Sequence, residues 1–170
     1  MAIDITNKNM LSPVGFNFTI NRLPSLNFFV QGVTLPGITL GSTEQPTALR
    51  SVPIPGDRIT YSEFDVNFKI DENMTNYIAL FKWIRALGFP DDFTQYKEIE
   101  DNPTFSGESI YSDGNIMVLS SAMNPNIRID IFDMFPTSIT PIEFNTRDTS
   151  IEYLEATVSF RFLNYDFVVL

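Results

Sequence analysis

Between Phe64 and Gly88 the hydrophobic period of the chain changes from two to 3.6, which sets a strand and a helix in succession. In Phe64-Asp65-Val66-Asn67-Phe68-Lys69-Ile70 apolar and polar residues alternate, as in a strand with one buried and one wet face. From Met74 the pattern becomes Tyr77, Leu80, Phe81, Ile84 and Leu87, one side of a helix, with Asn76, Lys82 and Arg85 turned away from it. Asp71 or Asn73 can cap that helix by accepting from a backbone N–H, Gly88 can close it, and Pro90 prevents its return. Just upstream, Pro53-Ile54-Pro55-Gly56-Asp57-Arg58 combines two residues of fixed φ with one that tolerates positive φ, so a chain reversal is expected there.

Most of the remaining pattern is β. Phe16 to Ile20 alternates, and Asn21 to Asn27 turns it into a second run, Phe28 to Val33, so the two are expected to form a hairpin. Leu35-Pro36-Gly37 stops that run and Ile38-Thr39-Leu40 reads as a brief strand. Gly41 to Ser51 is polar and unpatterned, and Pro46 does not suit a central strand. Gly41 to Ile59 is therefore expected to be a long exposed loop or arm, and a candidate contact surface. Asp91 to Gly114 is an acidic excursion without core-forming periodicity. Strands are expected again at Asn115 to Ser120, Ile127 to Ile131, Ile139 to Asn145 and Ala156 to Phe162. The sum is a single mainly β domain over residues 1–170, a sandwich or small barrel of roughly seven or eight strands with one helix against an edge or open end.

Composition narrows the chemistry more than the fold. The 170 residues contain no histidine and no cysteine, which removes imidazole bases, Ser/His/Asp triads, thiolate catalysis and most zinc sites. A net charge of −10 argues against binding to nucleic acid, whose phosphates are held by Lys and Arg, but suits a wall that DNA passes without sticking. Asp71-Glu72, Asp91-Asp92 and Glu98/Glu100/Asp101 lack the spacing of a calcium loop, so neither metal nor other cofactor is expected. Gly37-Ile38-Thr39-Leu40-Gly41 lacks the Lys-Ser/Thr and following helix of a phosphate loop. Tyr77 and Phe81 read as core, whereas Trp83 lies off the main stripe and meets a neighbour. Phe132, Met134 and Phe135 are either a strand end in the core or a patch against another subunit. No apolar run has the length of a membrane span, and Met1-Ala2-Ile3-Asp4 lacks the features of a secretory signal, so synthesis and assembly in a cytoplasm are expected. What remains is a non-enzymatic structural or interaction protein. The rivals are a β-sandwich carbohydrate-binding module and, third, a hydrolase confined to carboxylates.

The order of segments resembles the inner tail tube proteins of contractile-tailed, T4-like phages. The resemblance rests on Leu35-Pro36-Gly37 after an aromatic strand, Pro55-Gly56-Asp57-Arg58, and the strand leading through Asp71-Glu72 into a helix with Trp83. It continues in Met134-Phe135-Pro136-Thr137-Ser138-Ile139 and in the closing strand from Ile151 to Tyr165. The junction from Val66 to Ile84 is also similar to the tube-like domain of baseplate proteins that initiate the tube. The resemblance implies a tail-tube-type β protomer with a flanking helix, assembled as hexameric rings that stack into a tube for DNA in the virion tail. Its partners would be other copies of the chain and the sheath, baseplate and tape-measure proteins. Thr43, Glu44, Leu49, Arg50, Ile54 and Arg58 would then make contacts between rings or subunits, with Asp65 and Asn67 facing the lumen. A tube initiator or tail terminator ring is the alternative within the same class.

Overall fold

A computed structural model describes residues 10–88, 110–145 and 153–170. The elements are β1 (Phe16–Ile20), α1 (Pro24–Asn27), β2 (Val30–Thr34), β3 (Ile38–Pro46), β4 (Ser51–Tyr61) and β5 (Phe64–Lys69). They continue with α2 (Thr75–Gly88), β6 (Ser112–Leu119), β7 (Pro125–Ile139), β8 (Glu155–Arg161) and β9 (Asn164–Val169). All pairings are antiparallel, in the order β1-β6-β7-β8-β5-β2, with β9 also beside β7 and with β3 and β4 forming a separate ribbon.

The longest strand joins two sheets. Ile127–Phe132 of β7 pairs with β9 and Pro125–Met134 with β6, whereas Phe135–Ile139 pairs with β8. The change occurs at Asp133, whose φ of 52° lies in the left-handed region and whose N–H donates to Asp113 Oδ1 at 3.0 Å. Gly114 faces this bend, and a Cβ there would lie 2.8 Å from Met134 Sδ and 3.1 Å from the Thr19 carbonyl oxygen. A side chain at this position would crowd the backbone of the neighbouring strand β1 and displace Met134 from the bend.

The alternating pattern places the core as expected. Phe64, Val66 and Phe68 of β5 and Ala156, Val158 and Phe160 of β8 are buried, with directly opposed pairs Phe64–Phe160 and Val66–Val158. Phe18 of β1 meets Phe64 at a centroid distance of 5.7 Å, which ties the β1 sheet to the β5 sheet. Rings tilted at such distances pack more favourably than face-to-face ones.

The helix is rotated from its expected orientation. Its buried residues are Asn76, Leu80, Trp83 and Ala86, while Phe81 is half exposed. Trp83, expected off the stripe, lies 6.2 Å from Phe160 and donates its indole N–H to the Ile110 carbonyl at 3.3 Å. The helix is apolar almost all round, so periodicity leaves the buried arc open. The side chain that reaches farthest into the core, and can still satisfy its N–H, settles it. At its start Asp71 is the cap: its carboxylate accepts from Asn76 N–H at 3.1 Å. Burial raises the Asp71 pKa, but hydrogen bonds from Asn76 and Thr75 outweigh it and hold the group below its ordinary value. Asp71 therefore stabilises the fold above the ordinary carboxylate range, and the effect is lost as pH falls through the lowered folded-state value. Asp71→Ala is expected to cost about 1 kcal/mol at neutral pH in chemical unfolding. The deficit should shrink in acid; an equal deficit at pH 2 and pH 7 would refute the cap.

Four further expectations change. Phe16–Ile20 and the following strand do not form a hairpin: β1 pairs with β6 and β2 with β5, because Pro24 starts a helical turn and Asn27 Oδ1 takes the outward N–H of Ile20 at 3.0 Å. That turn, α1, makes two helices among the described residues where one was expected. The run Ile139 to Asn145 is not a strand; β7 extends through Pro136 to Ile139 instead, and β9 forms beyond the expected closing strand. The reversal expected at Pro53 to Arg58 is continuous strand β4, and the chain turns at Thr47 to Arg50. Thr47 N–H donates to the Arg50 carbonyl, and stepping by two along the register from that bonded pair leaves Pro46, Pro53 and Pro55 at positions whose amides face outward. In a two-stranded ribbon a missing outward N–H costs no pairing, so the prolines are tolerated. Met134 is buried, Phe135 is half-buried against Tyr111, and Phe132 is partly exposed, so the core reading holds for Met134. Most of the acidic Asp91 to Gly114 segment lies outside the described residues; Ser112 to Gly114 opens β6.

Candidate assembly surfaces

The Gly41 to Ile59 region is an arm, built as the ribbon of β3 and β4 that continues outward from the paired β2 and β5. Every residue of β3 is exposed, and at about 3.3 Å per residue its nine residues reach roughly 30 Å. Thr43 and Ile54 are directly paired, Glu44 Oε2 accepts from Ser51 Oγ at 2.9 Å, and Leu49 stands at the tip with 98% of its surface exposed. Arg50 closes the tip turn, where Thr47 Oγ1 donates to its carbonyl, and Arg58 lies in the bulge opposite Gly41. The structure thus brings Thr43, Glu44, Leu49, Arg50 and Ile54 together on the outer half and leaves Arg58 nearer the root. At the bulge Gly56 approaches Gly41 so closely that a Cβ would lie 2.7 Å from the Gly41 carbonyl oxygen. Ile38, Leu40, Ile54 and Ile59 are also exposed along the ribbon.

Among the described residues, two sheet edges carry no further strand, and they lie on opposite sides of the body. Asn21 N–H donates to the Asp113 carbonyl, and the antiparallel alternation then turns the amides of Phe16, Phe18 and Ile20 outward. Ile20 is satisfied by Asn27, which leaves Phe16 and Phe18. On β9, Leu170 N–H donates to the Asn126 carbonyl, and the same alternation turns the amides of Tyr165, Phe167 and Val169 outward. Phe167, Val169 and Leu170 are exposed beside them. The edge of β2 differs, because its pairing with β5 is bulged at Gln31, a device that blunts an edge against further pairing. A groove of about 370 Å³ lined by Val14, Phe16, Val30 and Gln31 separates it from β1. No sequence pattern marks β9 as an edge, although the alternation of Tyr165, Phe167 and Val169 was there to be read.

Asp65 and Asn67 lie together on the outer face of β5, as expected from their place in the alternation. Asp65 accepts from Ser159 Oγ at 2.7 Å and Asn67 Oδ1 from Thr157 Oγ1 at 2.6 Å. The basic residues of this face have carboxylate neighbours: Lys69 is 4.0 Å from Glu155 and Arg161 is 3.3 Å from Glu63. Among the described residues no group of three or more His, Cys, Asp or Glu could hold a metal ion, and no helix is long and apolar enough to cross a membrane.

An aromatic core, two strand edges without a further partner among the described residues and a projecting arm define a mostly β fold of the tail-tube type. A family model described as phage tail tube protein matches residues 2–168, and the chain belongs to that family. Solved structures agree on the fold. The cap of the anti-feeding prophage, a tube-terminating cap, is 15% identical with a TM-score of 0.66, over 99% of this chain and 97% of that one. A chain from the sheath-tube complex of an extracellular contractile injection system in its extended state is 15% identical with a TM-score of 0.64, over 96% and 94%. An Hcp protein is 9% identical with a TM-score of 0.50, over 91% and 99%. No curated protein sequence matches the chain.

Proposed function

We propose that this chain builds the inner tube of a contractile phage tail or phage-like particle, as hexameric rings that stack into a hollow tube through which DNA passes. The observation that carries this reading is the pair of open edges, β1 and β9, at opposite ends of one four-stranded sheet, β1-β6-β7-β9. Two different edges that pair with each other make a heterologous contact, and a heterologous contact that closes by rotation makes a ring. Closure also removes edges that would otherwise template aggregation. The arm, with Thr43, Glu44, Leu49, Arg50, Ile54 and Arg58, then reaches an adjacent ring or subunit.

Asp65 and Asn67 are proposed to face the channel. What supports this is a polar surface whose cations stand beside carboxylates, leaving no cluster of bare positive charge to hold phosphate. Sheath, baseplate and tape-measure proteins are the proposed partners in the tail, and assembly takes place in the host cytoplasm. A tube-terminating or initiating ring is a second reading, favoured by the likeness to the anti-feeding prophage cap.

Electron microscopy of the purified, concentrated chain tests the proposal. Six-fold rings or tubes with an open channel are expected, and a map resolving side chains shows whether the face of Asp65 and Asn67 lines the channel. Single rings that never stack would favour the terminator. A monomer at high concentration that binds a glycan would overturn the reading in favour of the carbohydrate module.

A further inference from the structure

We infer that Tyr165 couples the arm to the free edge of β9, so that docking of the arm on one neighbour and pairing of β9 with another reinforce each other. The inference rests on the tube reading and adds to it a linkage between its two contacts.

The root of the arm is narrow. It consists of the links on either side of the ribbon, held by Ser62 N–H donating to the Gly37 carbonyl at 3.0 Å and Gly37 N–H donating to Ser62 Oγ at 2.8 Å. Beyond those two bonds, a side chain from elsewhere in the fold, Tyr165, reaches both sides of the root. The Tyr165 hydroxyl donates to the Pro36 carbonyl at 3.3 Å, two residues before β3 begins. Its ring lies 5.5 Å from Tyr61, the last residue of β4. Phe162, just after β8, completes the cluster at 5.4 Å from Tyr61 and 6.0 Å from Tyr165.

Tyr165 also belongs to β9, paired with Ile131 of β7, and its ring touches Phe167 at 5.5 Å on the exposed edge. Its own amide is among those turned outward. A ribbon free along β3 can swing about such a root. The swing displaces Tyr61 and the Pro36 carbonyl together, and both bear on Tyr165. A docked arm therefore holds Tyr165, and with it Phe167 and the outward amides, in the position an incoming strand needs. Linkage makes the effect mutual, since a β9 edge held by a neighbour fixes the arm in return.

The test is a double-mutant cycle on assembly, read as the critical concentration for ring and tube formation by sedimentation. Leu49→Ser weakens the arm tip and Val169→Ser weakens the β9 edge; neither residue touches the Tyr165 cluster. In the wild-type background the double variant is expected to depart from the product of the single effects by roughly fivefold or more. In a Tyr165→Phe background, which keeps the ring and removes the hydroxyl, the departure is expected to fall to about twofold or less, and Tyr165→Leu should abolish it. Circular dichroism confirms that each chain is folded. Multiplicative effects in the wild-type background, or an unchanged departure in both Tyr165 backgrounds, would overturn the coupling while leaving the tube reading intact. Absence of any assembly by the wild-type chain overturns the tube reading, and the coupling with it.

Discussion

A chain lacking Thr43 to Ser51 is expected to fold with its core unchanged and to form no stacked tube. The deletion joins Ser42 to Val52, and because Ser42 is paired with Pro55, residues 52–54 become the loop of a shortened ribbon. None of the deleted residues is buried, so the loss to the body should stay within about 0.5 kcal/mol, the ordinary scale for surface changes. The loss to stacking is far larger. Leu49 alone, almost fully exposed in the single chain, contributes about 2 kcal/mol once covered. Every copy in a ring carries its own arm, so the loss repeats around the ring. Thermal unfolding and sedimentation velocity on the same preparation separate the two effects. Tubes of normal length from the deleted chain would remove the arm from the assembly.

Val169→Pro should abolish ring closure while leaving the monomer folded. The Val169 amide faces away from β7, so proline at that position removes no bond of the existing ladder. It removes a donor from the edge and places a ring where a neighbouring strand must approach, the means by which natural sheets keep their edges unpaired. Each outward amide that loses its partner forfeits about 1 kcal/mol of net hydrogen bonding. Burial of Phe167, Val169 and Leu170 in the contact is lost with it, at about 2 kcal/mol for each large apolar side chain. The sum is on the order of several kcal/mol per contact, enough to leave monomers at micromolar concentration. Light scattering gives the mass directly, and wild-type rings from this variant would show that β9 is not a ring edge.

These two outcomes differ in how far they were legible in the residues. The arm was, because Gly41 to Ser51 lacks apolar periodicity and has nothing to place in a core. Its internal form was not. Two prolines and a glycine in Pro53 to Arg58 signal a turn in isolation, yet the prolines occupy ribbon positions where a missing amide faces water and Gly56 sits in the bulge. Local turn propensity was outweighed by a register that only the partner strand β3 provides.

The β9 edge was less legible still. Asn164 to Val169 alternates well enough to be a strand, but whether a strand is central or at an edge depends on what lies beside it. That is a property of topology, in which β7 accepts β6 on one side and β8 and then β9 on the other. Helix α2 shows a related limit: its existence was plain and its cap narrowed to Asp71 or Asn73, but the choice of Asp71 and the rotation that brings Trp83 to Phe160 came from the fold. A helix apolar on most sides has no face that sequence alone can choose.

By itself, the sequence determined the β class, the inward residues of β5 and β8, the capped helix and the exposure of the arm. These depend on period and on residue chemistry, which are local. It also excluded imidazole and thiol chemistry, which depends on residue counts. Only the tertiary structure decided where β7 bends at Asp133, which edges stay open, and that Tyr165 stands between the arm and β9. Those features arise from contacts between residues far apart in the chain, where strand order and register are settled by packing around a shared core rather than by any one segment.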